Sequence, residues 1–128
     1  MIVAIIITLA SIAIPNYGKS KRRATQKEAL VNIKLIAAAE RIYRLESGDY
    51  YDCNCTTASN CATSVTGCNS LLRLMLNTEN WGYNVTTGGA AGSKTADISA
   101  TAKSGNCTYS LSSADFDSKN YTTSSGCI

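Results

Sequence analysis

The sequence predicts an α+β fold in which one long N-terminal helix is followed by a small antiparallel sheet of three to four strands. Three observations predict this fold. An apolar stretch over residues 1–14 continues into a charged amphipathic stretch that ends near Glu46. Short segments of alternating polar and apolar residues follow from residue 81 onward. The six cysteines, all of which follow the predicted helix, indicate that this later part of the chain, the head, is stabilised by disulfides.

The predicted helix is too long to lie inside a domain of 128 residues. From Met1 to Glu46 it would extend about 69 Å, so we expect its apolar half to project. The amphipathic half is expected to pack on the head through an apolar stripe with helical spacing, flanked by Ile33, Ile36 and Ala37. The stripe consists of Val31, Leu35, Ala38, Ile42 and Leu45. Gly48 is placed to end the helix.

The chain is therefore expected to have two parts. Residues 1–23 form a projecting apolar helix with a basic junction, and residues 24–128 form a globular head that includes the C-terminal half of the helix. Pro15, at the end of the apolar stretch, predicts a kink or a site of local unwinding. Glu40 and Arg44 have the spacing of a helical ion pair.

The head contains three predicted strands, and its tail offers a fourth at the edge of the sheet. The three strands span residues 81–87, 95–102 and 107–111, and the tail spans 120–128. A short helix over residues 70–76, capped by Asn69 or Ser70, is predicted before them. In the second strand the side chains on one face are Ala96, Ile98, Ala100 and Ala102.

Composition argues against an enzyme, since the chain has no histidine to serve as general base or metal ligand. Asp115 and Asp117 lie near a loop, and a turn explains them better than a catalytic carboxylate pair or a calcium site. No cofactor is expected. Residues 1–46 hold eight basic and three acidic residues. This basic helix lacks aromatic stacking residues and a reading motif, so no specific nucleic acid is expected as a partner.

The apolar end has three interpretations. A secretory signal has a suitable length, but no basic residue precedes the apolar stretch. A membrane span needs about 20 apolar residues, and the stretch over residues 1–14 is shorter than that. A buried core helix fits poorly, because the stretch is apolar on all sides and continues into a charged helix. Such an end is expected to bury itself in lipid or against other copies of the chain.

Residues 1–51 resemble the type IV pilin superfamily, which includes the pseudopilins of type II secretion. The matching segments are MIVAIII from Met1, LASIAIPNY from Leu9, AAERIY from Ala38 and SGDYY from Ser47. The resemblance implies a subunit whose N-terminal helices pack in the centre of a helical filament and unwind locally around Pro15 on assembly. The filament core that it implies comprises Met1, Ile2, Val3, Ile5, Ile6, Ile7, Leu9, Ile12 and Ile14.

The family's leader, cleavage glycine and early glutamate have no counterpart here, since no residue before Glu28 is acidic. We therefore expect the sequence to begin several residues inside the mature family sequence. The basic cluster after the apolar stretch would hold the head in the cytoplasm, whereas a head with disulfides indicates export. A basic leader ahead of the stretch would remove that conflict.

The expected function is that of a structural subunit of a type IV pilus-like extracellular filament on a bacterial cell surface. Its partners would be itself, the inner membrane that anchors it before assembly, and the pilus assembly machinery. A type II secretion pseudopilin and a monomeric membrane-anchored extracellular binding module are the alternatives. Roles in adhesion, motility, DNA uptake and secretion are not distinguished.

All six cysteines are expected to form disulfides within the subunit. A bond between Cys107 and Cys127 would fasten the tail to the sheet and contribute about 3 kcal/mol through a loop of roughly 20 residues. The other four cysteines pair in one of two patterns, nested or crossed, and we favour the nested one. Binding of zinc is the alternative to disulfides, although the Cys-x2-Cys pairs of common structural zinc sites are missing. The nested pattern is Cys53–Cys68 with Cys55–Cys61, and the crossed pattern is Cys53–Cys61 with Cys55–Cys68.

Four asparagines begin an Asn-x-Ser/Thr pattern and are candidate glycosylation sites. They are Asn54, Asn84, Asn106 and Asn120.

Overall fold

The computed structural model describes residues 2–53, 68–90, 94–104, 106–118 and 120–127, with side chains from Tyr17 onward. Within these ranges a helix, α1 (Ile2–Ser47), precedes the strands β1 (Trp81–Gly88), β2 (Thr95–Ala102), β3 (Thr108–Ser112) and β4 (Thr122–Thr123). A 3₁₀ turn, Ser113–Asp115, separates β3 from β4. The strands form one antiparallel sheet in the order β1-β2-β3-β4. The predicted α+β fold is confirmed, and the three predicted strands agree with β1, β2 and β3 to within one residue.

The long helix α1 is continuous through Pro15. The unwinding expected there concerns the assembled filament, so it stays a prediction. The helix ends where the sequence predicts. Gly48 has a φ of +88°, and its amide donates to the carbonyl of Arg44 at 2.8 Å. Glycine adopts this left-handed conformation without the penalty that a Cβ brings, which is why the helix stops here.

The central strand β2 presents small side chains to α1. Ala96, Ile98 and Ala100 are fully buried. The strand register places Tyr83 of β1 and Tyr109 of β3 on either side of Ala100. Small residues in the middle of the sheet let the helix approach closely, while the large side chains on the flanking strands fill the space around it. The helix therefore lies over β2, and the core is the single layer between them.

Two hydrogen bonds align α1 with β1. The indole Nε1 of Trp81 donates to the carbonyl of Thr25 at 2.9 Å. Further along both elements, Nδ2 of Asn32 donates to the hydroxyl of Tyr83 at 2.7 Å. The start of β1 and the β2–β3 turn thus lie beside the part of α1 that follows the apolar stretch.

The helix predicted over residues 70–76 is wrong, because the helical structure described from residue 68 ends at Leu71. Arg73 adopts a φ of 53°, which ends the turn. Leu72, Leu74 and Leu76 are then buried with the period of an extended chain rather than of a helix. Asn69 does not cap a helix; it accepts the amides of Leu74 and Leu76 through its carbonyl and side-chain oxygens. Three buried leucines stabilise the extended path more than a short isolated helix would be stabilised.

Two disulfides join described residues. Cys107 and Cys127 are bonded with Cα atoms 4.7 Å apart, as the sequence predicts. Cys53 is bonded to Cys68 with a Cα separation of 5.8 Å, which is the outer bond of the nested pattern and excludes the crossed one. Cys55 and Cys61 lie outside the described residues.

The tail returns along the edge of the sheet. Ser124 donates through Oγ to the carbonyl of Asn106 at 2.7 Å and accepts the amide of Thr108 at 2.8 Å. A Cβ on Gly126 would lie 2.6 Å from the backbone of Asn106, so only glycine fits this close approach. Together with the Cys107–Cys127 bond, these contacts hold the tail beside the β2–β3 turn.

Candidate assembly surface on the long helix

The amphipathic half of α1 has two apolar faces. The first contacts the sheet, and we call it the inner face. It consists of Ala29, Ile33, Ile36 and Ala37, which are at most 4% exposed. These residues recur every three to four positions and so form one side of the helix.

The second face is the stripe that the sequence predicts as the contact with the head, and that prediction is wrong. Val31 is 64% exposed, Ile42 59% and Leu45 87%. Leu35 and Ala38 are exposed as well. The residues predicted to flank the stripe are the ones that are buried. We call the exposed stripe, from Val31 to Leu45, the outer face.

Side-chain size explains which face the head covers. Consecutive residues are about 100° apart around a helix, so the inner and outer faces lie roughly opposite one another. The inner face contains Ala29 and Ala37, which are buried in the same core as Ala96 and Ala100 of β2, and small side chains on both elements permit close packing. The outer face holds branched side chains at most of its positions and would keep the helix further from the sheet.

The exposed apolar surface continues beyond the helix. Ile42 of the outer face and Leu71 of the helical turn border one cleft of about 240 Å³. Leu71 is 50% exposed, and Met75 on the same segment is 97% exposed. Tyr17, near the other end of the described side chains, is also largely exposed. Monomeric soluble proteins rarely present apolar side chains along a whole helix in this way, so this surface is a candidate interface.

The inner face ends at a buried acid that the sequence does not single out. Glu40 is fully buried; its Oε2 accepts the amide of Tyr51 at 2.9 Å, and its Oε1 has no hydrogen-bond partner among the described residues. Burial raises the pKa of Glu40 to about 7, the Tyr51 amide opposes the rise, and the charge of Asp52 adds to it. The position of Glu40 in the sequence could have indicated its burial, because it follows Ile33 and Ile36 at the spacing of the inner face.

The charged groups of the helix do not pair as predicted. Glu40 is not bonded to Arg44, because the acid points into the core. Arg44 instead donates to the hydroxyl of Tyr50 at 2.9 Å and lies over its ring. Arg41 binds Asp117 at 2.7 Å and thereby ties α1 to the segment after the 3₁₀ turn.

The two aspartates near the predicted loop have different partners. Asp115 accepts the hydroxyl of Ser118 at 3.1 Å within a turn, while Asp117 pairs with Arg41. This segment is a turn, as the sequence indicates. In the part of the chain that the structure describes, no three His, Cys, Asp or Glu side chains are grouped so that they could hold a metal ion.

The remaining predicted site residues are only partly described. The backbone of the predicted filament core is helical from Ile2 onward, and Met1 lies outside the described residues. Among the candidate glycosylation sites, Asn106 and Asn120 are exposed, Asn84 is half-buried in β1, and Asn54 is not described. Both exposed sites lie in connections between strands, where a glycan would meet no core side chain.

Within the described ranges, no helix contains an apolar stretch long enough to cross a membrane. No family model, no curated protein and no solved structure matches the chain.

Proposed function

We propose that this chain is a structural subunit of a type IV pilus-like extracellular filament, and that it polymerises through α1. The observation that supports this function best is the pair of opposite apolar faces on the helix. The inner face is covered by the chain's own sheet, whereas the outer face has no cover within the described residues. A second copy of the chain would supply the missing apolar contact.

The form of the exposed surface favours a helical polymer over a simple dimer. The outer face runs along α1 in line with the apolar stretch of residues 2–14, and both belong to one continuous helix. A surface of this length can contact several neighbours that are displaced along the helix axis. Contacts that do not close on themselves produce a filament.

Before assembly the subunit would be held at the bacterial inner membrane by its apolar end. The stretch of residues 2–14 is apolar apart from Thr8 and Ser11. Lipid and the centre of a filament both offer an apolar environment, so the helix can pass from one to the other on assembly. The pilus assembly machinery would drive that transfer.

The experiment is negative-stain electron microscopy of material sheared from bacterial cells that carry the assembly machinery and express the chain or one of three variants. Leu35→Glu and Ile42→Glu place a charge on the outer face and should prevent filament formation. Because both side chains are exposed in the subunit, circular dichroism and the melting temperature should hardly change. Thr86→Glu, on the exposed outer side of the sheet, is the matched control and should assemble normally.

Dispersed particles from the unaltered chain would contradict the proposal. Normal filaments from both outer-face variants would contradict the part assigned to that face.

A further inference from the structure

A cavity of about 480 Å³ opens at the end of the head from which the apolar part of α1 projects. Its helix side includes Lys21 and Arg22, and its sheet side includes Trp81, Ser104 and Asn106. We call it the basal cavity. Its volume lies within the range of about 300–1,000 Å³ that is typical of small-ligand sites.

No acidic side chain of the described residues forms an ion pair with the cations of the basal cavity. Among the described residues, ion pairs join Arg41 to Asp117 and Lys94 to Asp49, and neither involves Lys21 or Arg22. The acidic side chain nearest in sequence on the sheet side is Glu79, which is exposed. Two unpaired cations beside hydrogen-bonding Ser and Asn side chains form a suitable site for an anionic group with several acceptor oxygens.

The position of the cavity along α1 indicates which anion it meets. From Ile14, the last residue of the apolar stretch, to Lys21 the helix rises about 10 Å. The headgroup layer on each side of a bilayer is roughly 5–8 Å thick. Side chains on a helix lean toward its N-terminus, so Lys21 and Arg22 reach back toward the apolar stretch. If that stretch lies in lipid, both cations reach the level of the phosphates.

We propose that the basal cavity binds the phosphate of an anionic phospholipid headgroup while the subunit is held in the membrane. This inference rests on the membrane-anchored stage of the proposed function. Lys21 and Arg22 bind the phosphate oxygens, and Ser104 and Asn106 offer polar groups to the rest of the headgroup. Entry of the subunit into a filament removes the lipid and empties the site.

The test uses the full chain in micelles of a neutral detergent, titrated separately with phosphatidylglycerol, phosphatidylcholine and inorganic phosphate. Trp81 is the single tryptophan and lines the cavity, so its fluorescence reports occupancy. Bound lipid is counted in parallel by native mass spectrometry. Phosphatidylglycerol should bind saturably, and the other two ligands much more weakly.

The basic segment itself supplies a matched control. The double variant Lys21→Gln with Arg22→Gln should weaken phosphatidylglycerol binding about 100-fold, since each charge-assisted hydrogen bond to a phosphate contributes roughly a tenfold gain in affinity. The double variant Lys19→Gln with Arg23→Gln removes the same charge from positions that do not line the cavity. It should weaken binding far less.

Equal losses in the two double variants would overturn the proposal, because they would mean general attraction between a basic segment and an anionic surface. Equally tight binding of inorganic phosphate would show that the source is not the lipid. Loss of filaments in the cavity variant with unchanged lipid binding would assign the cavity to an acidic group of a second copy. The lipid-binding results do not depend on whether the unaltered chain forms filaments, which microscopy decides separately.

Discussion

The inner and outer faces of α1 have similar residues and opposite environments. Ile33 and Ile36 are at most 1% exposed, whereas Ile42 on the other side of the same helix is 59% exposed. Both faces repeat with helical spacing, so each could have packed on the sheet. The difference shows that the head needs only one apolar face for its own fold. The second face has no cover within the described residues, and we propose that it contacts other copies of the chain.

The largest effect should come from removing the apolar end. Deletion of residues 1–20 should abolish filaments, because the stretch that would fill the filament centre is lost. The head should remain folded, since the inner face begins beyond the deletion and the bond from Trp81 to the carbonyl of Thr25 is retained. Electron microscopy and circular dichroism measure the two outcomes. Filaments of normal diameter from the truncated chain would show that the apolar end is dispensable.

Alanine substitutions should separate the two faces in stability. Ile33→Ala removes buried methyl groups and should lower the free energy of unfolding by about 3 kcal/mol. Leu35→Ala, two residues away on the outer face, should change it by less than about 0.5 kcal/mol. Urea denaturation of the full chain in detergent measures both values. Similar losses at the two positions would mean that the outer face also packs on the head.

The buried acid at the end of the inner face should make stability depend on pH. Folding raises the pKa of Glu40 from 4.5 to about 7, so the folded state holds its proton more tightly than the unfolded state. The contribution of Glu40 to the free energy of unfolding should be greatest at about pH 4.5 and below, decrease between about pH 4.5 and 7, and be lost above pH 7. The total decrease is on the order of 3 kcal/mol.

Glu40→Gln tests the source of that dependence. The amide oxygen can still accept the Tyr51 amide, but the side chain no longer titrates, so the decrease between pH 4.5 and 7 should disappear. The chain has no histidine, which leaves no other side chain with an ordinary pKa in the upper part of this range. An unchanged decrease in the Gln variant would assign the effect to other groups.

Local patterns were sufficient to predict much of the fold. Gly48 marks the end of α1, alternation marks β2, and the spacing of Cys107 and Cys127 suggests their bond. Each of these depends on a few neighbouring residues. The sequence predicts the wrong structure where one local pattern is compatible with two conformations. The leucines after residue 70 are compatible with a short helix and with the extended chain that the structure shows.

The choice between the two faces of α1 could not be made from periodicity, since both faces have it. It depends on packing against β2, some sixty residues further along the chain, because Ala29 and Ala37 are buried in the same core as Ala96 and Ala100. The burial of Glu40 has the same origin, because its hydrogen bond to the Tyr51 amide forms only when the chain turns back at Gly48. Long-range packing of this kind leaves no periodic signal in the sequence.

A three-dimensional map of the filament by electron cryomicroscopy tests the central claim most directly. The map should show Val31, Leu35, Ile42 and Leu45 in contact with neighbouring subunits, the stretch of residues 2–14 near the filament axis, and local unwinding between Ala10 and Pro15. A straight helix through Pro15 would contradict only the unwinding. A filament whose subunits meet through their sheets, with the outer face of α1 in solvent, would contradict the account as a whole.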